Sequence, residues 1–247
     1  MERLLSPDHA YSRDEVRVRG KSCPIPAQAG VYAWYFDEVP SGVPTTGCRV
    51  TEAGTLLYVG IAPKQPPTNG RRPSGQSLRT RVRAHFTGNA AGSTLRLSLG
   101  CHLAEQLGIT LRQVGTKRER FTFTPAGEAK LSEWMGAHAR VAFVEVGKPW
   151  LLEHMLFTRE VLPLNLEGNT HSLHHAALTA LRARCREEAR SLEHMPDRHE
   201  RHRRSARGTS TEQPPRKHAR QARSRATDVT ALPDGPSDDA GRAIRVQ

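Results

Sequence analysis

A chain of 247 residues with formal net charge +12 and only 36% hydrophobic residues suits one domain of ordinary size with flanks, and is too polar to be packed end to end. The charge, carried mostly by arginine, points to a polyanionic partner, most simply nucleic acid. Cys23, Cys48, Cys101 and Cys185 lack any paired spacing, which argues against a disulfide scaffold or a zinc cluster. Residues 1–10 lack a signal-peptide core and no apolar run is long enough to span a bilayer, so a cytoplasmic protein is expected.

In chain order, GVYAWYF at 30–36 is rich in aromatic and β-branched residues and predicts a strand. Proline and glycine then punctuate a long connection over 39–54, followed by a second strand, TLLYVGI at 55–61, antiparallel to the first. Residues 63–75 are too rich in proline and glycine for regular structure. Ser77 is an expected N-cap, and Leu78, Val82 and Phe86 form an apolar stripe at four-residue spacing. Arg81 and His85 fall on the border of that stripe, while Arg79 and Arg83 fall on a more exposed arc.

A second helix is expected over 94–107, then a hairpin pairing 110–114 with 121–124, then a helix from Pro125 to His138. Residues 141–146 read as a buried strand. Pro149 opens a helix that is apolar on nearly every side and should be largely buried, and a last helix covers 173–189. The segment 92–100 (GSTLRLSLG) receives no functional assignment. From about residue 195 arginines stand among Ser, Pro and Thr with little apolar content, which predicts disorder. The organisation expected is an N-terminal flank (1–28), a folded domain (29–190) and a disordered basic tail (191–247).

Phosphodiester hydrolysis needs a base for the water, countercharge for the phosphorane and help for the leaving oxygen. Tyr32 and Tyr58 sit in the strands, Arg81 and His85 one helical turn apart, Glu153 in the apolar helix and Asn165 beyond it. Each is ordinary alone: a strand tyrosine is most often a core aromatic, and a phenol is a poor base near neutrality. Arginine holds two phosphate oxygens at once. A carboxylate in an apolar helix is costly unless paired or liganded.

Taken together, Gly30-Val31-Tyr32, Tyr58-Val59-Gly60, the run Ser77-Leu78-Arg79-Thr80-Arg81-Val82, His85, Glu153 and Asn165 resemble the GIY-YIG nuclease superfamily over roughly residues 29–165. The spacing between the two tripeptides and the loop over 61–76 are longer than is usual there, as surface insertions would make them. The resemblance implies an α+β fold, a short antiparallel (mixed) sheet flanked by helices, and a metal-dependent DNA endonuclease. It implies that Tyr32 and Tyr58 jointly activate water, with the split left open. Arg81 would bind the phosphate, His85 assist proton transfer, Glu153 bind Mg²⁺ or another divalent cation, and Asn165 orient local groups. Arg71, Arg72, Arg79 and Arg83 are candidate contacts to DNA. The clustered His171, His174 and His175 lack partners for a metal set and read as a helix face. A non-catalytic nucleic-acid-binding module on the same scaffold is the alternative, and an interaction protein with an RNA-binding tail a third.

Overall fold

The computed structural model describes residues 1–115 and 119–197, and the arginine-rich segment expected to be disordered lies, from residue 198 on, outside the described residues. The fold is mixed α+β. Its centre is a four-stranded sheet of β1 (Gly30–Phe36), β2 (Val50–Thr51), β3 (Gly54–Ala62) and β6 (Ala139–Glu145), in the order β2-β3-β1-β6 with every pair antiparallel. The remaining strands, β4 (Leu111–Gln113) and β5 (Phe121–Phe123), form the separate hairpin expected.

β1 is buried along its whole length, because both of its faces are covered. Period-2 alternation sends Tyr32, Trp34 and Phe36 to one core and Val31, Ala33 and Tyr35 to the other. The second core is closed by α1 (Glu2–Leu5) and α7 (Pro149–Arg159), with Leu4, Leu156 and Phe157 against the strand. The N-terminal segment also supplies α2 (Arg13–Arg17), whose Val16 joins the first core, and Tyr11 forms a bridge to Val141.

α3 (Leu78–Thr87) covers the first core. Its start is set by a capping box in which the Ser77 hydroxyl accepts from Thr80 N–H and Thr80 accepts from Ser77 N–H. Leu78, Val82 and Phe86 are buried as the stripe predicts. His85 is buried with them rather than lying on the border, because the rings of Tyr32, Trp34 and Tyr58 surround it.

The helix expected over 94–107 is broken at Leu103 into α4 (Thr94–His102) and α5 (Ala104–Leu107). α6 (Pro125–His138) and α8 (His175–Ser191) complete the layer, and α8 packs on α4 and β4. Beyond α8 the chain stays attached, since Met195 bridges Val114. The expectation that α7 is buried on nearly every side fails: Leu151 and Met155 are 58% and 42% exposed. Only its Pro149, Leu156 and Phe157 are fully covered, since the helix has a partner on one side and solvent on the other.

Candidate active site

A cleft of about 980 Å³ opens at the end of the sheet where β1 begins and β3 ends. Tyr32, Tyr58, Arg81, Glu153 and Asn165 all line it, drawn from β1, β3, α3, α7 and the segment after α7. His85 lies directly behind Tyr32. The six residues named from the sequence as the catalytic and metal set are therefore gathered at one place.

Tyr32 Oη and His85 Nε2 are 2.8 Å apart, and His85 Nδ1 is 2.7 Å from Ser93 Oγ. Ser93 also caps α4 by accepting from Arg96 N–H. The result is a buried chain, phenol–imidazole–hydroxyl, with its phenol at the cleft wall. Burial, reinforced by Arg81 and Arg96, holds His85 well below its usual value, so the imidazole is neutral and one ring nitrogen is an acceptor. Burial, and Tyr58 close by, push the Tyr32 phenol up, and Arg81 draws it only partly back. Tyr58 is pushed up by burial too, eased by its 3.1 Å bond to Thr94 Oγ1 and by Arg81. Neither phenol is ionised near neutrality by the protein alone.

Gly60 explains itself at this point. It is paired with Tyr32 in the β1–β3 register, and a Cβ there would lie 2.5 Å from the Tyr32 hydroxyl oxygen. The absent side chain is the space that the phenol occupies.

Arg81 is held at the cleft wall by a 3.0 Å bond from Nη1 to Gly92 O. Asn165 works on the strand. β2 pairs only with Gly54 and Thr55, so the far end of β3 lacks a neighbouring strand on that edge. Asn165 Oδ1 accepts from Val59 N–H at 2.9 Å and its Nδ2 donates to Val59 O at 2.8 Å, while Leu164 N–H donates to Leu57 O. One amide thus imitates a strand partner between Tyr58 and Gly60.

The Glu153 carboxylate makes no hydrogen bond or ion pair with any described residue. Its carboxyl is pushed up to about 7 by burial and by the neighbouring Glu167, against the pull of Lys64. Lys64 is itself committed to Glu167 at 2.7 Å. An unpaired, partly desolvated carboxylate beside a second carboxylate suits a cation. Among the described residues no group of three or more His, Cys, Asp or Glu side chains could hold a metal ion. Glu153, with Glu167 beside it, is the carboxylate that would hold a divalent cation, an ion of the magnesium type needing only one or two together with water and substrate phosphate.

The candidate DNA contacts divide. Arg71 and Arg72 are exposed on the loop whose Ser74 and Gln76 line the cleft. Arg79 donates to Ile25 O, and Arg83 to Val16 O and Val18 O, so both fasten the N-terminal segment to α3. His171 bonds Phe157 O through its ring.

The sequence reading missed the frame behind His85. Arg96, fully buried, donates from Nε and Nη2 to Glu128 Oε2 at 3.0 and 2.6 Å, and from Nη1 to the carbonyls of His85 and Phe86. Glu128 in turn accepts from Ala90 N–H, Thr122 Oγ1 and Phe123 N–H. This saturated pair ties α3, α4, β5 and α6 together at the turn that carries His85.

A protein-family model described as the GIY-YIG catalytic domain matches residues 30–188. The chain belongs to that family of the GIY-YIG nuclease superfamily. No curated protein and no solved structure matches the chain. Among the described residues no helix is long and apolar enough to cross a membrane.

Proposed function

We propose that the chain is a metal-dependent endonuclease that hydrolyses DNA phosphodiester bonds, with its catalytic unit within residues 29–190. The observation that carries this reading is the 2.8 Å Tyr32–His85 pair on a cleft that also presents Tyr58, Arg81 and an unpaired Glu153.

Of the two phenols, Tyr32 alone is bonded to a base, and Tyr58 is bonded to the hydroxyl of Thr94. Tyr32 is accordingly the group that exchanges a proton. Its hydroxyl oxygen accepts a proton from the attacking water as its own proton passes to His85 Nε2, with Ser93 holding the ring through Nδ1. Burial opposes a lasting imidazolium, so the proton is held only transiently and returns to solvent after the step. Tyr58 orients the water, and Arg81 binds the non-bridging oxygens as negative charge grows on them. A divalent cation held by Glu153 would add charge stabilisation and assist departure of the leaving oxygen. Arg71 and Arg72, exposed on their loop, would meet backbone phosphates outside the cleft.

The test is cleavage of supercoiled plasmid, branched DNA and single-stranded DNA, with Mg²⁺, with EDTA, and with the Glu153→Ala protein. Nicking that requires both metal and Glu153 is expected. Binding without cleavage of any of the three substrates would replace the nuclease by a nucleic-acid-binding module.

A further inference from the structure

α8 contributes a pair of arginines that the catalytic scheme does not use. Arg182 and Arg186, one helical turn apart, both line the cleft that holds Tyr58 and Arg81. Arg182 is only 8% exposed, yet its Nε has no hydrogen-bond partner, and no described residue gives it an ion pair. Among the described residues Arg186 has no carboxylate partner either; its guanidinium lies 6.0 Å from the centre of the Phe121 ring.

Arg96 is the internal comparison. When this fold buries an arginine for structure, it surrounds the guanidinium with a carboxylate and backbone carbonyls. Arg182 receives nothing comparable. Its electrostatic neighbours are Arg186, which repels it, and the Cys101 thiol and Tyr58 phenol, which near neutrality are uncharged. Two adjacent cations, one mostly buried and neither neutralised by a described residue, are costly to hold in a cleft wall unless an anion joins them.

We propose that Arg182 and Arg186 form a second phosphate site, which grips a backbone phosphate of the nucleic-acid strand adjacent to the phosphate held by Arg81. The identity of the anion rests on the nuclease reading above. The site uses the length of α8: Arg182 sits near Tyr58 and sets the strand's approach to the reacting centre, while Arg186, over the Phe121 ring, marks the path outward. Phosphate contacts of this kind fix register and orientation without reading sequence. Both arginines are positioning residues.

The test uses the full chain carrying Glu153→Gln, to keep DNA intact, and a labelled random-sequence duplex titrated over a range of salt. Arg182→Gln and Arg186→Gln are each expected to weaken binding about tenfold, as loss of a charge-assisted phosphate contact does. Each should also reduce the slope of log affinity against log salt by about 0.9. Arg184→Gln removes the same charge from the exposed side of α8 and should change neither quantity to that extent. Because Arg182 lacks a partner, Arg182→Gln is expected to leave the melting temperature unchanged or raise it, and a marked fall would assign it a structural role and overturn its part in the site. Arg186→Gln, at a half-buried position, tests the site independently of any folding defect. Equal effects from positions 182, 184 and 186, or none, would overturn the proposal. Cleavage by the otherwise unaltered chain is measured alongside. If it occurs while binding ignores Arg182 and Arg186, the second site fails alone. If it is absent while binding depends on both, the nuclease reading fails and the phosphate site stands.

Discussion

Gly60 faces Tyr32 across the β1–β3 ladder, and the Tyr32 phenol fills the space that a side chain at position 60 would need. The glycine of the second tripeptide is thus required by the tyrosine of the first. A Gly60→Ala substitution must push the ring away, which breaks its 2.8 Å contact with His85. Overpacking of this kind costs about 1–3 kcal/mol. Cleavage should fall far more than that stability loss explains, and urea denaturation alongside plasmid nicking separates the two. An alanine variant with full activity would show that the ring position does not matter.

The two tyrosines should respond unequally. Tyr32→Phe removes the hydroxyl bonded to His85, and a lost proton-transfer group lowers rates by about 10²–10⁴-fold. Tyr58→Phe removes only an orienting contact whose partner, Thr94, keeps a place at the cleft. Its loss should be smaller, and single-turnover cleavage at saturating enzyme is the measurement. Equal losses would return the assignment to an undivided pair.

His85 predicts a sign for the pH dependence of stability. Its folded-state value lies well below the ordinary 6.5, so between the two the unfolded chain binds a proton that the folded protein refuses. Its contribution to stability is complete above about 6.5 and is lost as pH falls through that window. Urea midpoints taken from above pH 7 down to about pH 5 should decline more steeply for the parent than for His85→Asn. Parallel declines would mean that His85 is not held neutral.

Much of this arrangement is legible in the chain because it is local. The strand composition of GVYAWYF, the Ser77 N-cap and the Leu78–Val82–Phe86 stripe are each written within a few residues, and each has its expected place. What escapes is written across distance. Arg96 and Glu128 meet from α4 and α6, and nothing within either helix announces the other. A signal was available: an arginine inside the apolar run TLRLSLG needs a partner if the run is buried. The depth of His85 depends on rings arriving from two strands, so helical spacing alone placed it at a border. α7 misled in the opposite direction, because apolar residues all round a helix state a capacity for burial, and Leu151 and Met155 found no covering element.

The same non-local pair makes a stability prediction. Glu128→Ala leaves the fully buried Arg96 guanidinium without its carboxylate, a loss of about 3–5 kcal/mol. Replacing both by apolar residues of similar volume, as in Arg96→Met with Glu128→Leu, should cost less than Glu128→Ala alone. Chemical denaturation of the three proteins checks the order. A double variant less stable than the single would show that the bonds from Arg96 to His85 O and Phe86 O, not charge balance, dominate.

Glu153 joins stability to the proposed metal. Ionisation of this carboxylate is opposed by burial and by Glu167, which is why its value rises to about 7, and only the pull of Lys64, itself paired with Glu167, offsets the charge. Glu153→Gln keeps the shape and removes the charge. In metal-free buffer above neutrality the Gln protein should therefore melt at or above the parent temperature, whereas loss of a structural carboxylate would lower it. Adding Mg²⁺ should raise the melting temperature of the parent, since a ligand bound only by the folded state stabilises it by mass action. The Gln protein should gain little from Mg²⁺ and should not cut DNA. EDTA should reverse the gain in the parent and stop cleavage. Equal stabilisation of both proteins by Mg²⁺ would place the ion elsewhere, and retained cleavage by the Gln protein would remove Glu153 from the chemistry.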